Sequence, residues 1–165
     1  MSYINQIDLC EAIAAKLVAL WPTRTLYRDF CPSDFQRPSG FLYVTQAGFT
    51  DAALGLVKWD VELELEIFCA TDSYDEQSTE QLRQEQAAVL EAFGGPSLPV
   101  GDRHVTVAAL ADGAGPGAAY VKFSASWMDH RPGYHDPEDR DDPVTGAIPL
   151  MEHYALDVET AGDTN

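Results

Sequence analysis

Residues Trp59 to Ala70 read WDVELELEIFCA. Odd positions carry Trp59, Val61, Leu63, Leu65, Ile67 and Cys69, and even positions carry Asp60, Glu62, Glu64 and Glu66 until the alternation relaxes at Phe68. Side chains alternate between two faces along a strand, so a period of two sets an apolar face against an anionic one. A helix would spread the glutamates around its circumference. A strand this long and regular belongs at the centre of an antiparallel sheet with one covered face and one wet face. Four carboxylates in a row repel one another, so the wet face is expected either to be plainly solvated or to put its charge to use.

Upstream of that strand, Asn5 or Asp8 is placed to cap a helix running to about Leu20, with Ile13, Leu17 and Leu20 on one stripe beside Cys10, Ala14 and Trp21. Pro22 stops it. Thr25 to Phe30 (TLYRDF) alternates as a short strand, Cys31 to Gly40 is a turn-rich loop, and Phe41 to Ala47 (FLYVTQA) is a second strand. Gly48 to Gly55 (GFTDAALG) is read as a connection at a hairpin tip.

Downstream, Ser73 with Glu76 and Ser78 with Gln81 are two overlapping capping-box starts. The helix they open carries Leu82, Val89, Leu90 and Phe93 on one stripe with acids and amides outside, and Gly94-Gly95-Pro96 ends it. Arg103 to Leu110 and Ala119 to Asp129 are two strands about the glycine-rich turn ADGAGPGA. The order α-β-β-β-α-β-β predicts an α+β domain over residues 1–130, an antiparallel-rich sheet of about five strands with two helices on its apolar face.

From His130 the composition changes. Residues 131–147 form an acidic, proline-rich linker, and 148–165 an arm in which Ile148, Leu150, Met151, Tyr154, Leu156 and Val158 restore apolar character. An apolar segment on a tether is expected to return to its own sheet edge or to add to a neighbour's, which makes these six residues candidates for contact between subunits.

The 165 residues carry 27 Asp and Glu against 10 Lys and Arg, a net charge of −17, which disfavours adhesive binding to nucleic acid or anionic lipid. Cys10, Cys31 and Cys69 lie far apart without a CxxC, so neither a disulfide framework nor a thiolate zinc site is expected. The N-terminal MSYINQIDL lacks the basic start and apolar run of a secretory signal, and no apolar run approaches a membrane span, so synthesis and folding in a reducing cytoplasm are expected.

Catalytic chemistry is not expected either. His130 and His135 stand among Asp129, Asp136, Glu138 and Asp139, but at no recognised metal-ligand spacing. PEDRDDP lacks the order of a calcium loop. ADGAGPGA is followed by a strand where a phosphate cradle needs a helix. Glu62, Glu64 and Glu66 sit on an open strand without the pocket that acid-base work needs. No cofactor is implied.

The element order, the loop FQRPSGFLYV whose proline opens a strand, the long alternating strand, the capped helix and the aromatic strand FSASWMD together resemble the tail-terminator (neck terminator) proteins of long-tailed bacteriophages. The similarity extends over roughly residues 4 to 130 by pattern, and MEHYALDV resembles the C-terminal strand of some members. The resemblance implies a homo-oligomeric ring, commonly a hexamer, in the neck or tail of the virion. Its partners would be the tail tube protein and the head-tail connector protein, with DNA passing through unbound, no membrane and no catalysis. The acidic insertion from Arg131 to Thr145 has no counterpart in that pattern. Asp60, Glu62, Glu64 and Glu66 would then either be solvated on the outer side of the ring or line its channel. Another neck component, or a small-ligand-binding or enzymatic α+β domain with its site under Gly48 to Gly55, is the alternative.

Overall fold

In the computed structural model, which describes residues 3–71, 78–113, 117, 119–136, 138–142 and 144, β3 (Leu56–Phe68) is the middle strand of five. Its odd residues Val57, Trp59, Val61, Leu63, Leu65 and Ile67 are all buried. They share one core with Leu9, Ile13 and Leu17 of α1 (Gln6–Leu20) and with Leu82 and Val89 of α2 (Thr79–Ala92), which places both helices on the apolar face. Burying Val61, Leu63, Leu65 and Ile67 is worth roughly 6 to 12 kcal/mol in gross transfer free energy. The expected α+β layer is therefore present, in the expected order.

The sheet runs β1-β2-β3-β7-β6 and is mixed. β1 (Thr25–Arg28) pairs parallel with β2 (Ser39–Ala53), and the remaining pairs, β2 with β3, β3 with β7 (Ala119–His130) and β6 (Val107–Ala111) with β7, are antiparallel. β4 (Leu98–Val100) and β5 (Arg103–Val105) form a separate hairpin whose Leu98, Val100 and Val105 enter the same core.

Local chemistry fixes the ends of the elements. Asn5 accepts from the backbone N–H of Ile7 at 2.8 Å and of Asp8 at 3.3 Å, while the Asp8 carboxylate accepts from the Asn5 N–H at 2.9 Å, a complete capping box. Of the two starts read for the second helix, Ser78 is its N-cap, and Ser73 lies outside the described residues. β1 stops at Arg28, two residues before the expected end, because Asp29 turns into the left-handed region at φ 59°. Gly40 lies under the rings and methyls of Trp21, Leu26 and Leu65, where a Cβ would meet atoms at 3.2 to 3.3 Å.

Three further readings need correction, and one strand was not foreseen. Gly48 to Gly55 is not a loop: β2 runs to Ala53 and only Leu54 and Gly55 turn the chain, because pairing with β3 outweighs the local glycine and aspartate preferences. Register shifts between Val44 and Gln46 and between Asp51 and Ala53 take up the mismatched residues. Arg103 to Leu110 is two strands, broken at Thr106, where the chain leaves the small hairpin for the main sheet. Leu98 to Val100 is a strand despite Pro99, which a two-stranded edge tolerates. Gln86 faces inward, donating to the carbonyls of Asp112 at 2.7 Å and Tyr120 at 2.8 Å and so pinning α2 to the ends of β6 and β7.

Asp129 is the buried polar anchor of this unit. Its carboxylate, with 0% of the side chain exposed, accepts from the Ile4 N–H at 2.8 Å and the His130 N–H at 2.7 Å and pairs with Arg103 at 2.5 Å. It ties the N-terminal segment, β5 and the end of β7 together. Asp129→Ala takes the acceptor from two amides and removes one partner of Arg103, which also has Asp102 at 3.7 Å, and is expected to cost about 2 to 4 kcal/mol, read from denaturant midpoints. A loss under about 1 kcal/mol would show that these groups find other partners.

Contacts divide the chain into two units, one to Pro132 and one from Gly133. In the second, His135 Nδ1 lies 2.8 Å from Asp142, and Asp136, Asp139 and Asp142 each accept from a backbone N–H two residues ahead, so carboxylates stabilise successive turns. The arm residues Ile148, Leu150, Met151, Tyr154, Leu156 and Val158 lie outside the described residues.

Candidate functional site

With both helices on the odd face, the even face of the sheet is open. Asp60, Glu62, Glu64 and Glu66 run along it in one row, flanked by Ser126, Ser124, Lys122 and Tyr120 of β7 in register. On the other side stand Gly48, Gln46, Tyr43 and Phe41 of β2. The four sequence candidates thus share one face, as the period of two requires.

The neighbours temper the charge without removing it. Tyr43 donates to Glu64, Tyr120 to Glu66 at 3.2 Å, and Ser126 to Asp60. Lys58 lies 3.3 Å from Asp60, and Lys122, opposite Glu64, bonds Asp112 at 2.9 Å. Glu62 is exposed between them. The Ser126 hydroxyl, with help from Lys58, holds the Asp60 carboxyl below the usual range, and the bond to Asp112 holds the Lys122 ammonium above its own. The row is a carboxylate ladder in which hydroxyl donors orient Asp60, Glu64 and Glu66 and Glu62 stands exposed among them.

The two tyrosines were not foreseen, because their role depends on which residues of β2 and β7 fall opposite the glutamates. Their position leads to a pH-dependent prediction. Partial burial first, then the bond to Glu64 and its charge, push the Tyr43 phenol well above the ordinary 10.0. Burial and then the charge of Glu66 do the same to Tyr120. A phenol raised in the folded state contributes stability that is whole below its unfolded value, and that contribution is lost as pH rises toward the folded value. Phenolate absorbance of the folded chain should therefore show Tyr43 and Tyr120 ionising later than they do in denaturant, with Glu64→Gln bringing Tyr43 down. Folded and denatured titrations that coincide would contradict this arrangement.

One end of the row is covered. Phe68, the even residue at which the alternation relaxes, packs on Phe35 with ring centroids 4.2 Å apart. Arg37 stacks on both rings and donates to the Cys69 carbonyl at 3.4 Å. The other end projects: Leu56 and Met128 on this face are 39% and 52% exposed, and Leu54 at the turn is 80% exposed.

Residues 48–53 are strand and Leu54 and Gly55 are the turn. A groove of about 490 Å³ lies elsewhere, between α1 and β1, lined by Ile7, Cys10, Leu26, Tyr27, Arg28 and Phe30, and its charged pair Arg28 and Glu11 bond each other. Among the described residues no three His, Cys, Asp or Glu side chains converge as metal ligands. No described helix is long and apolar enough to cross a membrane. Neither a protein-family model nor a curated protein matches the chain.

Proposed function

We propose that this chain is a structural assembly protein of the tail-terminator kind. Its subunits close into a ring that caps a tail tube and joins it to a head connector, with the carboxylate face toward the channel and no chemistry of its own. The observation that carries this reading is the open face itself. Asp60, Glu62, Glu64 and Glu66 stand in register along one side of a sheet whose other side holds the whole core.

Such a face serves a passage for a polyanion. Repeated around a ring, the row sums to a negative wall that repels phosphates from every side, so DNA slides and does not bind. The orienting hydroxyls of Tyr43, Tyr120 and Ser126 support the same use, since they keep a dense row of like charges compatible with a folded sheet. The projecting end of the β2–β3 hairpin, with Leu54 and Leu56 exposed, offers apolar contact to a neighbour or to a tube.

Native mass spectrometry and sedimentation of the full chain test the reading. A single closed oligomer, forming with rising concentration and binding the ends of tail tubes, is the expected result. A chain that remains monomeric at all concentrations and with tubes present would overturn it. Binding to the connector alone would instead assign the chain to another position in the neck.

A further inference from the structure

The main sheet has an open edge on each side. β1 covers β2 only as far as Leu42, so from Tyr43 onward the outer edge of β2 pairs with no described strand. On the far side, the outer edge of β6 pairs with no described strand either. The register carried across the sheet puts these two edges at the same height. Tyr43 stands opposite Glu64, Glu64 opposite Lys122, and Lys122 opposite Leu110. Ala47 leads in the same way through Val61 and Ala125 to Val107. The three intervening pairings are all antiparallel, so β6 runs opposite to β2.

We propose that β6 of one copy of this chain pairs antiparallel with Tyr43 to Ala47 of β2 in the next copy, joining their sheets into one wall. A copy displaced sideways across the strands brings the two edges together with direction, height and faces already matched. Natural edges are commonly guarded by charge or proline. YVTQA and VAALA contain neither, whereas farther along β2 the edge carries Asp51, paired with Arg131 at 2.7 Å.

The side chains of the two edges also suit each other. On the carboxylate face Leu110, 64% exposed, meets the neighbour's Tyr43 and Phe41, whose ring centroids lie 4.7 Å apart. On the helix face Val107 and Ala109, only partly buried in their own core, meet the equally half-covered Val44. Thr45 is the extra residue at the register shift, and its hydroxyl donates to the Glu62 carbonyl at 3.1 Å. Pairing β2 with β2 of a second copy would close a dimer and leave β6 open, whereas two different edges repeat around a ring.

The inference rests on the self-association in the ring reading and assigns it a contact. The test replaces Leu110 with photoreactive benzoylphenylalanine in the full chain and mixes it with isotopically heavy, unsubstituted chain under assembling conditions. Cross-links are expected from the light chain to residues 41–47 of the heavy chain. Backbone amides within 43–47 and 107–111 should exchange more slowly in the assembly than in the monomer. Leu110→Asp should raise the dissociation constant of the assembly about tenfold or more and leave the melting of the subunit unchanged, since the side chain is exposed. Cross-links within one chain or to another surface, unchanged exchange, or a Leu110→Asp chain that assembles as tightly as wild type would overturn the strand contact while leaving the ring standing. Sedimentation showing monomer throughout would fail the ring reading, and this inference with it.

Discussion

Leu65→Asp is expected to leave the chain without a cooperative folding transition. Leu65 is fully buried, sits between Leu42 and Val121 in register, and lies against Gly40 beneath Trp21. Removing a buried leucine alone costs about 2 to 5 kcal/mol, and an unpaired carboxylate at the same point adds several more. The whole stability of a domain is about 5 to 15 kcal/mol. Glu64→Gln, one residue away on the opposite face, keeps an acceptor for Tyr43 and should shift stability by less than about 1 kcal/mol. Thermal melts of the two variants measure the facing of β3 directly. A Leu65→Asp chain that melts close to wild type would mean the apolar face is not where it has been placed.

The second large effect is on DNA. Each exchange of Glu62, Glu64 and Glu66 for lysine changes the charge by two, taking the chain from −17 to −11 and reversing the sign of the ladder. Lysine at 64 faces Lys122 and loses the Tyr43 bond, and lysine at 66 loses the Tyr120 bond; each change costs on the order of 1 kcal/mol, less together than a domain's stability, so the variant should fold. Assemblies of wild type should fail to retain duplex DNA. Those of the lysine variant should retain it at low salt and release it as salt rises, because each phosphate contact releases counterions. Identical DNA passage by both assemblies would place the row outside the channel.

WDVELELEIFCA alone made the centre of the fold legible, because a buried face and a wet face leave a period that no other element shares. Helix ends were legible for a similar reason: Asn5, Asp8 and Ser78 satisfy their own local amides, and local chemistry is written locally. What depended on distant partners was not. The hairpin through Gly48 hides behind turn residues, since only the pairing of Phe49 with Trp59 and Gly48 with Asp60 makes it a strand. Asp129 reads as one more acid in an acidic stretch until Arg103 and the Ile4 amide close on it. Gln86 falls on the apolar stripe between Leu82 and Val89 but reads as surface until the carbonyls of Asp112 and Tyr120 meet it. The carboxylate row of the candidate site was legible residue by residue, whereas its hydroxyl partners required the register.

The most direct test of the central claim is an electron-microscopic reconstruction of the assembled full-length chain. The account predicts a closed ring with Asp60, Glu62, Glu64 and Glu66 facing the central opening and α1 and α2 on the outside. A ring carrying those carboxylates on its outer rim, or an assembly that does not close, would contradict it.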